Sequence, residues 1–448
     1  MEMSGDERLQ GYVGRIRVVL ESSGVSVGDE VEVEVDGRIY RGILMARYEL
    51  AEPDYIVLKL PNGYNLGIRV HGDVKVRRVA EAVKPRFVPP PRPPSRPGLP
   101  KVTIMSTGGT IASRIDYRTG GVRPALTAED LLSIVPELAE IAALDAEILF
   151  SIFSENLTPS HWNEMAVRAD ELIRKGVDGV VIAHGTDTMG YSAAALSFAL
   201  QKPPVPVVFV GAQRSSDRPS SDAATNLIAA VKVAGHAPFA EVCVTMHAWH
   251  SDTLIAVHRG TRVRKLHTSS RDAFQSVNAS PIAYVEMGDI RVREEGLNPR
   301  GGDGYTFKPG FSDEAALVKF YPGMPPEILE AVTEKHVRGV ILEGTGLGHV
   351  ASRLIPVVRR LVERGVFVGM TSQCIWGRVN MRVYDNGRDL LKAGVTPLDN
   401  MLPETAYVKL SWALAQTSDP DEVKRLMLTP IAGEIGGRNM PRMEAEAL

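Results

Sequence analysis

The sequence predicts an α/β protein with two doubly wound parallel sheets, preceded by a small all-β barrel domain. Three observations lead to this fold class. Valine and glutamate alternate strictly over residues 31–35, prolines crowd residues 85–100, and strand-like apolar runs alternate with amphipathic helices from residue 101 onward. Such alternation is typical of parallel sheets that helices cover. With 448 residues, the chain is long enough for several domains.

The first predicted domain, residues 1–84, contains an all-β module over residues 10–80. Asp36 and Gly37 follow the alternating run and supply a hairpin turn. Further strand-like runs at 55–60 and 66–70 flank another turn. These patterns indicate a small barrel of about five or six strands.

The role of this module has two interpretations, a docking or spacing unit and a domain that contacts RNA. Its end carries four basic residues: Arg69, Lys75, Arg77 and Arg78. Positive charges attract a phosphate backbone, but a run of charges is most often a solvated face. The sequence leaves both interpretations open.

Residues 85–100 form the sharpest boundary in the chain, because half of them are proline. Proline lacks an N–H group and has a fixed φ, so it is excluded from helix interiors and central strands. We therefore expect an extended, semi-rigid spacer that holds its two neighbours apart.

The first α/β domain is predicted over residues 101–314. It opens with a buried strand at 101–105 and a helix at 128–135 that Thr127 caps. The same alternation then continues through four elements: a helix at 162–175, a strand at 177–183, a helix at 191–201 and a strand at 205–210. This order predicts a doubly wound parallel sheet.

A second α/β domain is predicted over residues 315–448. Strands at 338–342 and 366–370 flank a helix that ends near Arg364. Two further helices, at 406–417 and 421–427, close the domain.

Bulk properties exclude several classes of protein. The net charge is −3, which excludes a polybasic nucleic-acid binder. The two cysteines, Cys243 and Cys374, form neither a disulfide framework nor a zinc motif, and the polar N-terminus lacks a signal peptide. No apolar run is long enough to span a bilayer. We expect a reducing, cytoplasmic environment.

Two segments carry the chemistry, each directly after a strand-like run. Residues 106–113 read Ser-Thr-Gly-Gly-Thr-Ile-Ala-Ser, and residues 184–189 read His-Gly-Thr-Asp-Thr-Met. Ligands of α/β folds bind at the carboxyl ends of strands, so both segments are candidate site loops. Thr110 is a candidate nucleophile, and the glycines before it leave N–H groups free as oxyanion donors. The alternative is a glycine turn with a capping threonine.

A threonine nucleophile needs a neighbouring base, because a free hydroxyl is a poor nucleophile at neutral pH. Thr186 and Asp187 are candidates for that group, although both residue types are also good helix caps. Lys265 is one of several cations that Asp187 can orient. Tyr117 lies in a polar stretch typical of a mobile lid, or it is a surface tyrosine.

Metal and nucleotide sites have weak signals. His247 and His250 are three residues apart with Asp252 nearby, a poor ligand set. Residues 344–348 are glycine-rich but lack the Gly-Lys-Ser/Thr ending of a phosphate loop. We predict no metal and no cofactor in this chain.

At these residues the chain resembles the L-asparaginase/glutaminase family. Residues 107–112 and 184–189 match both family signatures without a gap, and the similarity extends from about residue 101 to near the C-terminus. The resemblance implies an asparaginase-like pair of α/β domains. It implies these catalytic residues: Thr110 as the nucleophile, with Thr186, Asp187 and Lys265 as the second group. It also implies these substrate-binding residues: Ser154, Glu155, Tyr117 and Gly109.

The N-terminal module, the proline-rich spacer and residues 373–381 together resemble a narrower family, the D subunits of archaeal tRNA-dependent amidotransferases. That resemblance implies a glutaminase whose ammonia converts Glu-tRNA(Gln) to Gln-tRNA(Gln). It implies an E-type partner subunit that binds the tRNA, ATP and Mg²⁺. It also implies a homodimer of this chain within a two-plus-two heterotetramer.

The sequence leaves two other functions open. One is a stand-alone L-asparaginase/glutaminase with an N-terminal appendage. The other is a non-catalytic scaffold that binds RNA through the β-module. The intact set of catalytic residue types argues against the scaffold, because a scaffold has no physical need for it.

Overall fold

The computed structural model describes most of the chain. The described residues are 8–47, 52–62, 64–81, 98–108, 113–115, 122–124, 128, 131–132, 135–214, 220–333 and 336–437. The described residues up to Glu81, with the short strands between 113 and 123, form one unit, and the other described residues form a second. Most of the predicted spacer over 85–100, like the capping residue Thr127, lies outside the described residues.

The first unit contains a five-stranded antiparallel sheet. Its strands, in the spatial order β4-β3-β2-β1-β5, are β1 (Glu30–Val35), β2 (Arg38–Leu44), β3 (Tyr55–Lys59), β4 (Asn65–Arg69) and β5 (Val74–Ala80). Along β1 every valine is buried and every glutamate is partly exposed, because successive side chains of a strand point to opposite faces. The predicted small β domain is confirmed.

A helix, α1 (Gly14–Ser22), precedes this sheet, where the sequence analysis predicts only strands. Ile16 and Leu20 are buried and share an apolar core with the valines of β1. Their four-residue spacing places them on one helix face. The helix has only nine residues, of which Ile16 and Leu20 are buried. Such a short helical pattern is hard to distinguish in a sequence dominated by strand patterns.

Three of the four basic residues near the end of the module lie in ion pairs. The pairs are Lys75 with Glu34, Arg77 with Glu32 and Arg78 with Asp29. The fourth, Arg69, lies over the ring of Tyr55. Since carboxylates already neutralise three of these charges, the geometry favours a solvated, self-paired face over an RNA-binding one.

The second unit begins with the elements of the first α/β half. Two short strands, β7 (Ser113–Ile115) and β8 (Val122–Pro124), are numbered by their place in the sequence. The strands of this half are β6 (Lys101–Ser106), β9 (Ala143–Ile148), β10 (Gly179–Ala183), β11 (Leu200–Gln201), β12 (Val207–Val210), β13 (Val242–His247), β14 (Leu254–Arg259), β15 (Val263–Lys265), β16 (Phe274–Ser276), β17 (Ala283–Glu286), β18 (Asp289–Val292) and β19 (Thr306–Phe307). Its helices are α2 (Pro159–Arg174), α3 (Met189–Ala199) and α4 (Ala223–His236). Strands β7 and β8 belong to the first unit, except for Pro124, and among the described residues they pair only with each other.

The main sheet of this half has eight strands in the order β18-β17-β14-β13-β12-β10-β6-β9. The strands from β9 to β13 are parallel. The other three are antiparallel, which the sequence analysis does not predict. Short connections such as Met287–Gly288 explain the difference, because a parallel pair needs a longer crossover.

The predicted elements match the structure with shifted ends. The helix predicted at 162–175 is α2 and begins earlier, at Pro159, whose fixed φ suits a first helical position. The helix predicted at 191–201 is α3, whose last predicted residues form the short strand β11. Of the helix predicted at 128–135, Ala128, Leu131 and Leu132 are helical.

Helix α3 lies in the middle of the core. Most of its residues are buried, including the run of three alanines that starts at Ala193. Phe198 stacks on Trp412, with ring centroids 6.1 Å apart, and the indole N–H of Trp412 donates to the Lys308 carbonyl. Packing on all sides makes α3 a rigid support for the residues that precede it.

The second α/β half contains a four-stranded parallel sheet in the order β20-β21-β22-β23. Its strands are β20 (Ala315–Lys319), β21 (Gly339–Gly344), β22 (Phe367–Ser372) and β23 (Thr396–Pro397). Its helices are α5 (Pro326–Thr333), α6 (Ile355–Glu363), α7 (Asp385–Lys392), α8 (Pro403–Gln416) and α9 (Pro420–Leu428). Within the described ranges, no helix combines the length and apolarity that crossing a membrane requires.

A buried ion pair fixes the chain after α9. Lys409 and Glu434 are both 0% exposed, and the ammonium of Lys409 donates to the Glu434 carboxylate and to the carbonyls of Met427 and Thr429. The same carboxylate accepts the N–H of Ile431. Burial lowers the pKa of Lys409, whereas the carboxylate raises it. The pair therefore holds the segment 431–436 against α8.

We expect Glu434→Gln to lower the free energy of unfolding by about 3 kcal/mol or more, because it leaves a buried ammonium without its counter-charge. Chemical denaturation measures the effect. Glu422→Gln, in the exposed pair with Arg425, is the matched control and is expected to leave the midpoint almost unchanged. Equal midpoints for both variants would contradict a stabilising role for the buried pair.

Candidate active site

Parallel pairing brings the two motifs together at one edge of the main sheet. Strand β6 lies beside β10, with Ser106 opposite Ala183 at their carboxyl ends. Thr107, the next residue, donates both its N–H and its hydroxyl to the carbonyl of Ala183, at 3.0 and 3.1 Å. The loops that follow these strands therefore start side by side.

Gly108 begins the first loop in a conformation that requires glycine. Its φ is +119°, and a Cβ there would lie 2.2 Å from the carbonyl oxygen of Ile152. Three predicted site residues follow it in the chain, Gly109, Thr110 and Tyr117, and all three lie outside the described residues.

The second loop and a distant hairpin bring together Thr186, Asp187 and Lys265. The Lys265 Nζ lies 2.8 Å from Thr186 Oγ1 and 2.8 Å from Asp187 Oδ1. The Lys265 side chain is only 14% exposed, whereas that of Asp187 is 70% exposed. The sequence-predicted contact between Asp187 and Lys265 is thus present, and the ammonium also reaches the Thr186 hydroxyl.

A short hairpin delivers Lys265 to this position. Lys265 ends β15 and pairs with Phe274 of β16, and the Leu266 N–H donates to the Ala273 carbonyl at 2.6 Å. Gly190, in the first turn of α3, lies close to this strand, since a Cβ there would come within 3.1 Å of the Val263 carbonyl. A hairpin lysine thus lies against the start of the helix that follows Thr186.

Thr186 packs against a glycine at the end of the neighbouring strand. A Cβ on Gly211 would lie 2.8 Å from Thr186 Cγ2 and 2.5 Å from the Met189 side chain. Gly211 belongs to neither of the two sequence motifs. Its position directly after the buried strand β12 is the signal that would have found it.

Ser154, a predicted substrate-binding residue, lies against the second motif. A Cβ on Gly185 would lie 2.9 Å from Ser154 Oγ, and the Thr188 hydroxyl donates to the Ser154 carbonyl at 2.8 Å. Ser154 is buried and Glu155, its neighbour in the 3-10 turn Ser154–Asn156, is exposed. The structure therefore brings Ser154 to the Thr186 loop and turns Glu155 to solvent.

His184 anchors the second motif through a chain of hydrogen bonds. Its Nδ1 lies 2.6 Å from the Gly185 carbonyl, which only accepts, so Nδ1 carries the proton. Its Nε2 lies 2.9 Å from the Ser192 hydroxyl, which also accepts the indole N–H of Trp162. Burial lowers the pKa of His184 to about 4, so the ring is neutral at neutral pH.

The histidines that the sequence offers as metal ligands lie in another network. His247 is buried between Asn226 Oδ1 at 2.6 Å and Asp252 Oδ1 at 2.9 Å. Asn226 in turn donates to Asp222 and to the Gly211 carbonyl. Over the described part of the chain, no group of three or more potential ligands is placed to hold a metal ion.

The arrangement has clear chemical capabilities. The Lys265 ammonium holds the Thr186 oxygen as an acceptor, which leaves the Thr186 hydroxyl proton free to donate to another group. Among the described residues, only Lys265 contacts the Asp187 carboxylate, and this exposed group can also accept from an ammonium. Neither the Thr186 nor the Asp187 N–H donates within the described chain. Donors without an acceptor among the described residues suit a developing oxyanion.

Three family models match the chain. A model described as the N-terminal domain of asparaginase matches residues 101–297, and one described as the glutaminase/asparaginase C-terminal domain matches residues 315–427. A third, described as the GatD N-terminal domain, matches residues 25–79.

Relatives match almost the whole chain. The D subunit of the glutamyl-tRNA(Gln) amidotransferase from Thermofilum pendens is 52% identical over 96% of this chain and 97% of its own. The chain belongs to the family of glutamyl-tRNA(Gln) amidotransferase D subunits. Another member, from Pyrococcus furiosus, is 51% identical over 94% of this chain and 97% of its own. These relatives confirm the resemblance recognised from the sequence motifs.

Solved structures match the two α/β halves. The thermostable L-asparaginase from Thermococcus kodakarensis is 36% identical, with a TM-score of 0.68, over 75% of this chain and all of that protein. L-asparaginase I from Vibrio cholerae is 30% identical, with a TM-score of 0.66, over 75% of this chain and 99% of that protein. The predicted asparaginase-like fold is confirmed.

The low pKa of His184 predicts a pH dependence of stability. Below pH 6.5 the unfolded histidine takes a proton that the folded protein resists until about pH 4. Stability is therefore lost as the pH falls through this window, by about 1.4 kcal/mol per pH unit. We expect His184→Gln to remove this contribution, so denaturation midpoints of the variant fall less steeply with acid than those of the native chain.

The matched control is His71→Gln, at an exposed position, for which the native slope is expected. Parallel slopes for the native chain and His184→Gln would contradict a buried, neutral His184.

Proposed function

We propose that the chain hydrolyses the side-chain amide of glutamine and supplies the ammonia for converting Glu-tRNA(Gln) to Gln-tRNA(Gln). Membership of the family of amidotransferase D subunits supports this function. The observation that carries the chemistry is Lys265 Nζ at 2.8 Å from both Thr186 and Asp187. A partly buried lysine bridging a hydroxyl and a carboxylate at a strand end suits acyl transfer better than scaffolding.

In the proposed reaction, Thr110 Oγ attacks the carboxamide carbon of glutamine. The base takes the Thr110 hydroxyl proton and gives a proton to the amide nitrogen. The C–N bond then breaks and ammonia departs. This leaves an ester between Thr110 and the glutamyl group. Water then cleaves the ester, which releases glutamate and restores the Thr110 hydroxyl.

The proposed base is either Tyr117 or the group formed by Thr186, Asp187 and Lys265. When this group is the base, the Thr186 oxygen takes the Thr110 proton and passes its own to a neutral Lys265 amine, and Asp187 stabilises the ammonium that forms. The N–H groups of Gly109 and Thr186 are the proposed oxyanion donors.

The proposed substrate-binding residues are Ser154, Glu155, Tyr117 and Gly109, with Asp187 accepting the α-ammonium. The exposed Asp187 carboxylate supports this role, because it has accepting capacity beyond its contact with Lys265. The buried position of Ser154 against Gly185 supports a fixed wall of the site.

The proposed assembly divides the labour between two kinds of chain. An E-type subunit binds the tRNA and uses ATP with Mg²⁺ to activate the tRNA-bound glutamate, and this chain forms a homodimer within a two-plus-two heterotetramer. The proposed domains of this chain are residues 1–84, the spacer 85–100, and the α/β domains 101–314 and 315–448.

A stand-alone L-asparaginase/glutaminase is the alternative function. The L-asparaginase structures support it, but they cover only three quarters of the chain. The match of residues 25–79 to the GatD N-terminal domain favours the amidotransferase function instead.

We expect Thr110→Ala to abolish glutamine hydrolysis while the thermal midpoint stays within a few degrees, because the variant loses a nucleophile and no large side chain. Ammonia release measures the activity. Thr306→Ala, at an exposed position on β19, is the matched control and should retain the native rate. Substantial hydrolysis by Thr110→Ala would refute the assignment of the nucleophile.

We also expect ammonia release from glutamine to rise strongly when the E-type subunit and Glu-tRNA(Gln) are added to the chain. The measurement compares the chain alone, with the partner, and with both partner and tRNA, on glutamine and on asparagine. Full activity of the isolated chain that tRNA leaves unchanged would favour the stand-alone alternative.

A further inference from the structure

The two ends of the hairpin that carries Lys265, here called its roots, bond to the second α/β half. One root is Thr261 and Arg262, which directly precede β15. The other is Val277 and Asn278, which directly follow β16. The Val277 N–H donates to the Arg262 carbonyl at 2.8 Å, which ties the two roots together. Thr261, Arg262 and Asn278 are exposed by only 0, 2 and 5%. Their polar groups must therefore find partners inside the protein.

Arg262 is a buried cation that bonds to neutral groups. Its Nε donates to the Gly433 carbonyl at 2.8 Å, and its terminal nitrogens donate to the Asn400 carbonyl and side chain at 2.9 and 3.2 Å. Burial lowers its pKa to about 10, so it stays charged at neutral pH. A buried charge is costly unless its donors are satisfied, so small displacements of these partners are unfavourable.

Asn278 closes the other root. Its side-chain amide donates to the carbonyls of Gly377 and Asn400 at 3.1 and 3.2 Å, and its Oδ1 accepts the Gly377 N–H at 2.8 Å. One side chain thus binds both backbone groups of a glycine in the loop after β22.

Asn400 joins the two roots. Its carbonyl accepts from both Arg262 and Asn278, and its Oδ1 accepts from Arg262 and from the Gly436 N–H at 2.9 Å. Thr261 adds a further tie, because its hydroxyl donates to the Ala432 carbonyl. Three separate stretches of the C-terminal half, around residues 377, 400 and 432–436, therefore clamp the hairpin.

We propose that Asn278 and Arg262 are positioning residues that hold Lys265 at its place beside Thr186 and Asp187. Lys265 lies three residues beyond Arg262 on a short hairpin, so a shift at the root moves the ammonium. Thr186 belongs to a different element, the loop before α3. The 2.8 Å contacts of Lys265 therefore require that the hairpin and this loop keep their relative positions. Displacements of about 1 Å cost large factors in rate.

This inference rests on the proposed catalytic role of Lys265. The test removes the Asn278 side chain without straining the backbone. Asn278 has φ +56°, a left-handed conformation that glycine adopts freely, so Asn278→Gly deletes the amide and little else. We expect kcat for glutamine to fall about tenfold and KM to change less than about threefold. Lys202→Gly, also at a positive φ of +50° but exposed and outside the clamp, is the control and should keep the native kcat.

A double-mutant cycle separates positioning from a general structural role. If Asn278 acts through Lys265, adding Asn278→Gly to Lys265→Met lowers kcat by less than about twofold beyond Lys265→Met alone. A second tenfold loss in the double variant would overturn the inference, as would native kcat in Asn278→Gly. Native kcat in Lys265→Met would instead count against the proposed function.

A milder variant covers the case in which Asn278→Gly does not fold. The Thr405 hydroxyl donates to the Thr261 carbonyl at 2.9 Å, and Thr405→Val removes this bond with almost no change in shape. We expect a loss of about two- to threefold in kcat that disappears in the Lys265→Met background. The same loss in both backgrounds would overturn the inference.

Discussion

The candidate site depends on the parallel pairing of β6 with β10. With Ser106 opposite Ala183, two motifs that lie more than seventy residues apart in sequence begin at the same sheet edge. A shift of one residue would turn every side chain of one strand to the other face. The fully buried strand β10 resists that shift, because apolar neighbours surround it on both sides. The glycines at the strand ends then let the loops approach each other more closely than any side chain would allow.

Lys265 lies at this edge on the β15–β16 hairpin, and contacts of a different kind hold that hairpin in place. The Thr186 loop is held locally by α3, His184 and Ser154, whereas the lysine hairpin is held by groups from a distant stretch of the chain. Buried polar networks are favourable only when every member is satisfied. The position of Thr186 and Asp187 therefore depends on nearby contacts, whereas the position of Lys265 depends on the folding of the second α/β half.

Local patterns predicted much of this molecule. Alternation on β1 and the apolar runs of β10 and β12 predicted strands, and polar residues after strand ends predicted Thr186 and Asp187 as site residues. The antiparallel extension and α1 were not predictable in this way, because short connections and a nine-residue helix leave weak periodic signals. Lys265 became a specific candidate only through family resemblance, since its partners are nearly eighty residues away.

The buried cations show why the groups that support the site could not be predicted from sequence patterns. Arg262 and Lys409 occupy interior positions where sequence patterns predict apolar side chains. Arg262 donates to the carbonyls of Gly433 and Asn400 and to the Asn400 side chain, and Lys409 donates to Glu434 and to two backbone carbonyls. Such carbonyls are common to every residue type, so no motif marks them. A buried cation with carbonyl partners fixes direction and distance, which an apolar contact of the same size does not. Retaining the costly Arg262 at the base of the lysine hairpin is physically sensible where precise placement of the hairpin matters more than maximal stability.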